Sequence, residues 1–466
     1  MSVIKNILYN LPEVAGPTQK RLSFKEKLKW TSIILVLFYV LGMVPLWGLE
    51  SNALARFEIL SIILGASFGS IISLGIGPIV TASIVLQLLN GSGIINFDRT
   101  TVDGRKTFQG FQKILSLFFI VFEAVIYVFM GGLAPSAALP GSLFLQMQLV
   151  LVFQLTLGGI IIMLMDEVVS KWGFGSGISL FIAAGVSQQV FIRALSFLHP
   201  STNPDTYVGA IPEFFRSLAV GNPQGALLMF AGVASTAIVF ILAVYMQAMK
   251  VEIPLSFGRV RGHGIRWPLH FIYTSNIPVI LVSALFANIQ LWASLLQNWG
   301  YPFLGTFDAN NNPVSGVVSW LFPPNVIEAW ITQGFVDGFL RVLPQAGFYI
   351  IAMIIGCIVF SWFWVQTSGM DAKSQAKQMM SSGLQIPGFR RDIRVLERLL
   401  KRYISPLTVL GAIAIGILAG IADVSGALTN GTGLLLAVMI IYRLYEEISK
   451  QHMMDMNPGL RKFMGG

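Results

Sequence analysis

A chain of 466 residues with 55% hydrophobic and 11% charged residues is too apolar for a soluble enzyme and reads as an integral membrane protein. The single cysteine, Cys357, excludes a disulfide framework or a cysteine-built zinc site within the chain. A net charge of +9 fits either nucleic-acid binding or membrane topology, and its distribution along the chain decides between them.

Residues 1–29 mix Lys5, Lys20, Arg21, Lys25, Lys27 and Lys29 with Ile4, Ile7, Leu8, Leu22, Phe24 and Leu28. That mixture suits an amphipathic segment on the cytoplasmic membrane surface. No apolar core closed by a small-residue cleavage site follows, so a cleavable signal peptide is not expected. Ten spans are expected at about 30–49, 57–90, 111–133, 143–165, 177–192, 224–249, 269–290, 342–365, 403–421 and 432–449. With the amino terminus inside, only Arg56, Arg193, Arg216 and Arg341 of the 31 Lys and Arg residues fall outside. The positive-inside rule therefore places both termini in the cytoplasm and accounts for the basic face.

The second segment, Arg56 to Asn90, carries no charge after Glu58, yet Gly65, Gly69, Gly75 and Gly77-Pro78 interrupt it. It is too long and too broken for one straight helix. Two half-helices are expected, Phe57 to about Ser67 and Ile76 to Leu89. Backbone that leaves the helix at membrane depth must be buried in protein or line a wet cavity, so the break predicts a pathway. A re-entrant hairpin that merely packs is the plainer reading. The third span carries Glu123, the only charge deep within any expected span, which should face protein interior or water.

GFGSG at Gly173 to Gly177 opens a short fifth span and lacks both the spacing and the βαβ setting of a dinucleotide fingerprint. No GxxxxGK[ST] is present, so energy for any transport comes from a partner. The loop 193–223 divides the spans five and five. Two such units of opposite orientation make an inverted repeat, with a pathway at the interface, although no residue-level self-similarity is visible. The outer segment 291–341 has scattered acids, Asp308, Glu328 and Asp337, which do not suggest a metal. Residues 366–402 read as a helical hairpin: one helix in MDAKSQAKQMMSSGL, a turn at IPGFRRD, and a second amphipathic helix in IRVLERLLKRY. Its charge suits docking of something large and acidic, or simply a solvated hairpin.

The stretches LGIGPIVTASIVLQLL, FQGFQKILS, GSGISLFIAAGVSQQV, IPLSFGRVRG, SNIPVILVSALFANIQL, IPGFRRD and NGTGLLLAVMIIYRLYE together resemble the SecY family in its archaeal or eukaryotic-like form, the channel subunit of the Sec protein translocon. The match runs in order along nearly the whole chain and is weakest at 291–341. The resemblance implies an all-α integral membrane protein of ten transmembrane helices in two pseudo-symmetric inverted five-helix halves around a central pore. The halves are 30–192 and 224–449, joined by the external loop 193–223, with cytoplasmic loops 250–268 and 366–402 and a cytoplasmic tail 450–466. It implies a plug at about 57–69 and an apolar pore ring at Ile76, Val80, Ile178, Ile182, Ile280 and Leu436. The pairs 76/80 and 178/182 independently share helix faces, each after a glycine-marked break.

The resemblance further implies a lateral-gate polar cluster of Thr81, Glu123 and Asn288, and docking arginines at Arg259, Arg261, Arg266, Arg390 and Arg391. The partners it implies are SecE-like and small beta or SecG-like membrane subunits, the ribosome, a motor ATPase in bacterial relatives, the nascent polypeptide with its signal sequence, and membrane lipid. Neither metal nor cofactor is implied, and the expected location is the plasma membrane of a prokaryote. The rival classes are a secondary transporter and a membrane-embedded enzyme. The first needs a compact polar substrate site, and an intramembrane protease needs an acidic mate for Glu123; neither is evident in the spans.

Overall fold

The computed structural model describes residues 11–19, 22–52, 67–91, 94–95, 102–136, 138–199, 205–257, 264–274, 277–298, 302–308, 313–381, 384–385, 392–429 and 431–456. The elements run α1 (Phe24–Met43), β1 (Ser51–Asn52), α2 (Gly77–Gly91), α3 (Val102–Phe129), β2 (Leu133–Ala134), α4 (Gly141–Trp172), α5 (Gly177–Leu195), α6 (Ala210–Val220) and α7 (Pro223–Ala248). There follow β3 (Lys250–Phe257), β4 (Gly264–His270), α8 (Ile277–Asn298), α9 (Val317–Trp320), α10 (Val326–Gly334), a π-helix (Phe335–Leu340), α11 (Arg341–Thr367), α12 (Ala372–Ser381), β5 (Leu384–Gln385), α13 (Ile393–Val424) and α14 (Gly431–Met456). Six helical stretches among the described residues are long and apolar enough to cross a bilayer, and α2 and α8 carry shorter apolar runs. The chain forms two compact units, one of Met1–Gly185 with Ile440–Gly466 and one of Val186–Met439.

In the first unit, Ser23 accepts the Glu26 amide at the start of α1, a Ser-x-x-Glu cap. Phe38 of α1 stacks on Phe181 of α5 at 4.8 Å, and the Tyr39 hydroxyl donates to the Ala184 carbonyl at 3.0 Å. The first half-helix of the broken segment lies outside the described residues up to position 66. From there the chain runs through turns until α2 begins at Gly77. Serines spaced by three satisfy the exposed backbone: Ser70 Oγ donates to the Ser67 carbonyl at 2.7 Å, and Ser73 Oγ accepts the Gly69 amide at 2.9 Å. Such local pairing is what non-helical backbone needs in an apolar setting. Pro78 falls in the first turn of α2, where its missing N–H removes no intrahelical bond.

The second unit has two cores. Val239, Val279, Val282, Met353, Cys357, Ile415 and Leu435 form the larger, among the long helices. Ile253, Leu269, Ala376, Met379, Leu396 and Leu400 form the smaller, where β3 and β4 meet α12 and the start of α13. The segment read from sequence as a basic loop at 250–268 is instead mostly an antiparallel hairpin, with Ile253 opposite Trp267, and β5 adds a third strand at Ser256 and Phe257. The period-two alternation of Val251, Ile253, Leu255 and Phe257 explains it. A further correction concerns IRVLERLLKRY, expected as a helix separate from a span at 403–421. It is the first part of one helix, α13, that passes through Pro406. Leu396, Leu400, Ile404 and Leu407 make one buried stripe across that proline, and this burial outweighs the one hydrogen bond that proline costs.

A correspondence between the units at the level of helices, not visible in the sequence, appears in the packing. On α4, a Cβ at Gly158 would collide with the carbonyl of Ile71, in the approach to α2, and one at Gly159 would meet Ile120 of α3 at 2.7 Å. On α13, a Cβ at Gly411 would lie 2.7 Å from the carbonyl of Phe271, in the approach to α8, and one at Gly416 would meet Ile354 of α11 at 2.8 Å. Each fourth long helix thus admits its second and third neighbours over glycines.

Candidate functional site

The aliphatic residues singled out from the sequence sit at helix starts. Ile76 is buried just before α2, and the Val80 amide donates to its carbonyl at 3.0 Å, so the pair stands one turn apart. Ile178 and Ile182 repeat the arrangement on the first two turns of α5, with Ile182 buried and Ile178 partly so. In the second unit Ile280 is partly buried in the first turn of α8, and Leu436 is fully buried on α14. Branched aliphatic side chains offer a passing chain dispersion contacts without hydrogen bonds, and a constriction lined by them excludes water.

Two carboxylates fix where α5 and α14 begin. Asp166, near the end of α4, accepts the Ile178 amide at 3.0 Å and bonds the Gly177 amide and the Ser176 hydroxyl as well. Asp423, near the end of α13, accepts the Thr432 amide at 3.0 Å on one oxygen. Its other oxygen takes the Thr432 hydroxyl and, at 2.8 Å, the Tyr349 hydroxyl of α11. A helix start has unpaired amides and a partial positive charge, so a carboxylate there is doubly favoured. Sequence reading drew span ends just short of both acids and missed them. The usable signal was an acid closing an apolar run shortly before a glycine-led helix.

Of the polar cluster, Thr81 on α2 and Glu123 on α3 share a side-chain hydrogen bond. A second tie between the same helices, from Gln112 Nε2 to Ser83 Oγ at 3.3 Å, was not anticipated. Asn288 lies on α8, and its side chain falls outside the described residues. Among the docking arginines, Arg259, Arg261, Arg390 and Arg391 also lie outside them. Arg266 is on β4, in register with Pro254. The described backbone of the two loops is nonetheless joined, because β3 pairs with β5 at Ser256 and Phe257. Among the described residues no group of three or more acids, histidines or cysteines is placed to hold a metal.

The SecY family model matches residues 70–445 of the chain. The chain is 46% identical to the protein translocase subunit SecY of Methanothermobacter thermautotrophicus over 459 residues, which is 98% of this chain and 97% of that protein. It is similar to a solved structure described as that of a protein conducting channel, with a TM-score of 0.79 and 41% identity over 97% of this chain and 98% of the other. It is also similar to Sec61 in the canine ribosome-channel complex from the endoplasmic reticulum, with a TM-score of 0.77 and 40% identity at the same coverage.

Proposed function

The chain belongs to the SecY family, and from that premise we propose that it is the central subunit of a protein-conducting channel. It passes unfolded secretory polypeptides across the membrane and releases hydrophobic segments sideways into the bilayer. The observation that carries this reading is the serine-satisfied break at 67–76, from which α2 starts with Ile76 and Val80 one turn apart. Irregular backbone of this kind is tolerated beside a pathway. Ile76, Val80, Ile178, Ile182, Ile280 and Leu436 form the aliphatic ring, and residues at about 57–69 form its plug. Thr81, Glu123 and Asn288 hold the lateral gate between the halves 30–192 and 224–449. In this reading both termini face the cytoplasm of a prokaryote, and Arg259, Arg261, Arg266, Arg390 and Arg391 receive the ribosome. Phosphate of ribosomal RNA suits arginine's paired donors. SecE-like and small beta or SecG-like subunits complete the complex.

The similar proteins give no support to the secondary-transporter alternative. The test uses a Cys357→Ser background with single cysteines at the six ring positions and a control cysteine at the exposed Phe153. An arrested secretory chain should crosslink to the ring and not to position 153. Equal crosslinking at all seven, or at the control alone, overturns the ring. Uptake of a small solute into liposomes carrying the chain would instead favour a transporter.

A further inference from the structure

The two acids at the helix junctions are absent from the ring, the gate and the docking surface, yet they occupy equivalent places. Gly177 opens α5 and Ile182 follows five residues on; Gly431 opens α14 and Leu436 follows five residues on. At both starts only glycine fits. A Cβ at Gly177 would come 2.6 Å from the Asp166 Cα, and one at Gly431 would strike Ala422, the residue before Asp423. Both α5 and α14 therefore begin pressed against the end of the preceding long helix, and a carboxylate from that end takes their first amides. Rotation of either helix about its own axis is resisted by directional bonds at one end. One turn further along, that rotation would swing Ile182 or Leu436 through several ångströms.

We infer that Asp166 and Asp423 are positioning residues for the pore ring, each setting the axial rotation of the helix that carries Ile182 or Leu436. The assignment rests on the channel reading above, because it acts through the proposed ring. It distinguishes these acids from ordinary helix caps, which lower stability when lost but leave a remote constriction sealed. Mere stabilisation would act on every buried residue of α5 and α14 alike. Positioning acts on the ring before the fold fails.

The test measures ion leak in planar bilayers with the full chain in its complex, beside melting temperature in detergent. Core truncations Leu151→Ala on α4 and Val239→Ala on α7, both at buried positions, define how leak varies with melting temperature alone. Asp166→Ala and Asp423→Ala should leak about fivefold or more above that line, by loss of cap geometry. Asp166→Asn and Asp423→Asn keep an acceptor oxygen and should return to within about twofold of wild type. If an alanine variant does not fold, Ser176→Ala and Thr432→Val remove one donor each and should show a smaller excess. Leak on the line, or asparagine variants as leaky as alanine, overturns the assignment. Ile182→Ser and Leu436→Ser separate the two claims. Leaky ring variants with silent aspartate variants reject the positioning role alone, whereas silent ring variants reject the ring reading beneath it.

Discussion

At the end of α4, the third helix of the first unit braces the junction through charge: Lys113 of α3 pairs with Glu167, beside Asp166, with only 11% and 17% of the two side chains exposed. At the end of α13 the third long helix of the second unit, α11, does it with a neutral group, the Tyr349 hydroxyl on Asp423 itself. Equivalent places in two similar units are thus held by different physics. The first brace is an ion pair that also takes in the amino-terminal segment, since the Val14 amide donates to Glu167 at 2.9 Å. The second is sealed among helices, with Tyr349 only 4% exposed. The first should respond to salt, and the second should not.

The largest expected effects test whether the two units are built alike beneath this difference. Gly158→Ala gains about 1 kcal/mol of helix propensity, but its Cβ would overlap the Ile71 carbonyl. Overpacking of rigid backbone costs about 3 kcal/mol or more, so the variant should lose stability in denaturant titrations. Gly411→Ala meets the Phe271 carbonyl at 2.7 Å and should lose less, about 1 kcal/mol net. A glycine of either unit that accepts alanine without loss of stability would break the proposed correspondence.

The braces come next. Lys113→Met leaves Glu167 largely buried without its ion-pair partner, and a loss of about 2–3 kcal/mol is expected, below the full cost of a deeply buried pair because some water reaches it. Tyr349→Phe removes one bond between uncharged and carboxyl groups and should cost about 1 kcal/mol. Repeating both in high salt sharpens the contrast. The gap between wild type and Lys113→Met should narrow, and the Tyr349→Phe gap should not move.

Much of this architecture was legible in residues, and the rest failed for identifiable reasons. Gly77-Pro78 and the glycines at 173–177 announced the starts of α2 and α5, because backbone constraints act locally. Glu123 stood out as an acid in an apolar run, and its partner Thr81 followed from the family pattern. Asp166 and Asp423 did not stand out, since each closes its run where a span boundary is naturally drawn. What they do depends on amides eight to twelve residues later. The β3–β4 hairpin had its alternation in plain sight, but the stretch was read only as a basic loop between spans. Continuity of α13 through Pro406 depends on tertiary burial that no local rule contains. Helices α6 and α10 sit in segments whose Pro, Asn and Trp content suggested only loops.

The smallest effect probes the outermost part of the charged brace. Lys171 of α4 pairs with Glu13 and donates to the Val14 carbonyl at 2.6 Å, while Trp172 Nε1 donates to the Ala15 carbonyl at 2.9 Å. The hydrogen bond from Lys171 holds the Glu13 carboxyl below its ordinary value, with partial burial opposing it and the charges of Lys171, Lys113 and Lys106 adding to the depression. A carboxylate depressed in the folded state contributes stability above its unfolded value, near pH 4.3, and loses it as pH falls through the folded value. Because the Glu13 side chain is 66% exposed, solvent screening reduces the contribution to a few tenths of a kcal/mol. Glu13→Gln should therefore melt marginally below wild type at pH 7, and the two curves should converge as pH falls through the depressed folded value. Salt should shrink the difference at pH 7 as it does for Lys113→Met, because both belong to the same charged brace. A difference that persists in acid would assign the residue's contribution to packing, and the contrast with the neutral brace at Tyr349 would then rest on Lys113 and Glu167 alone.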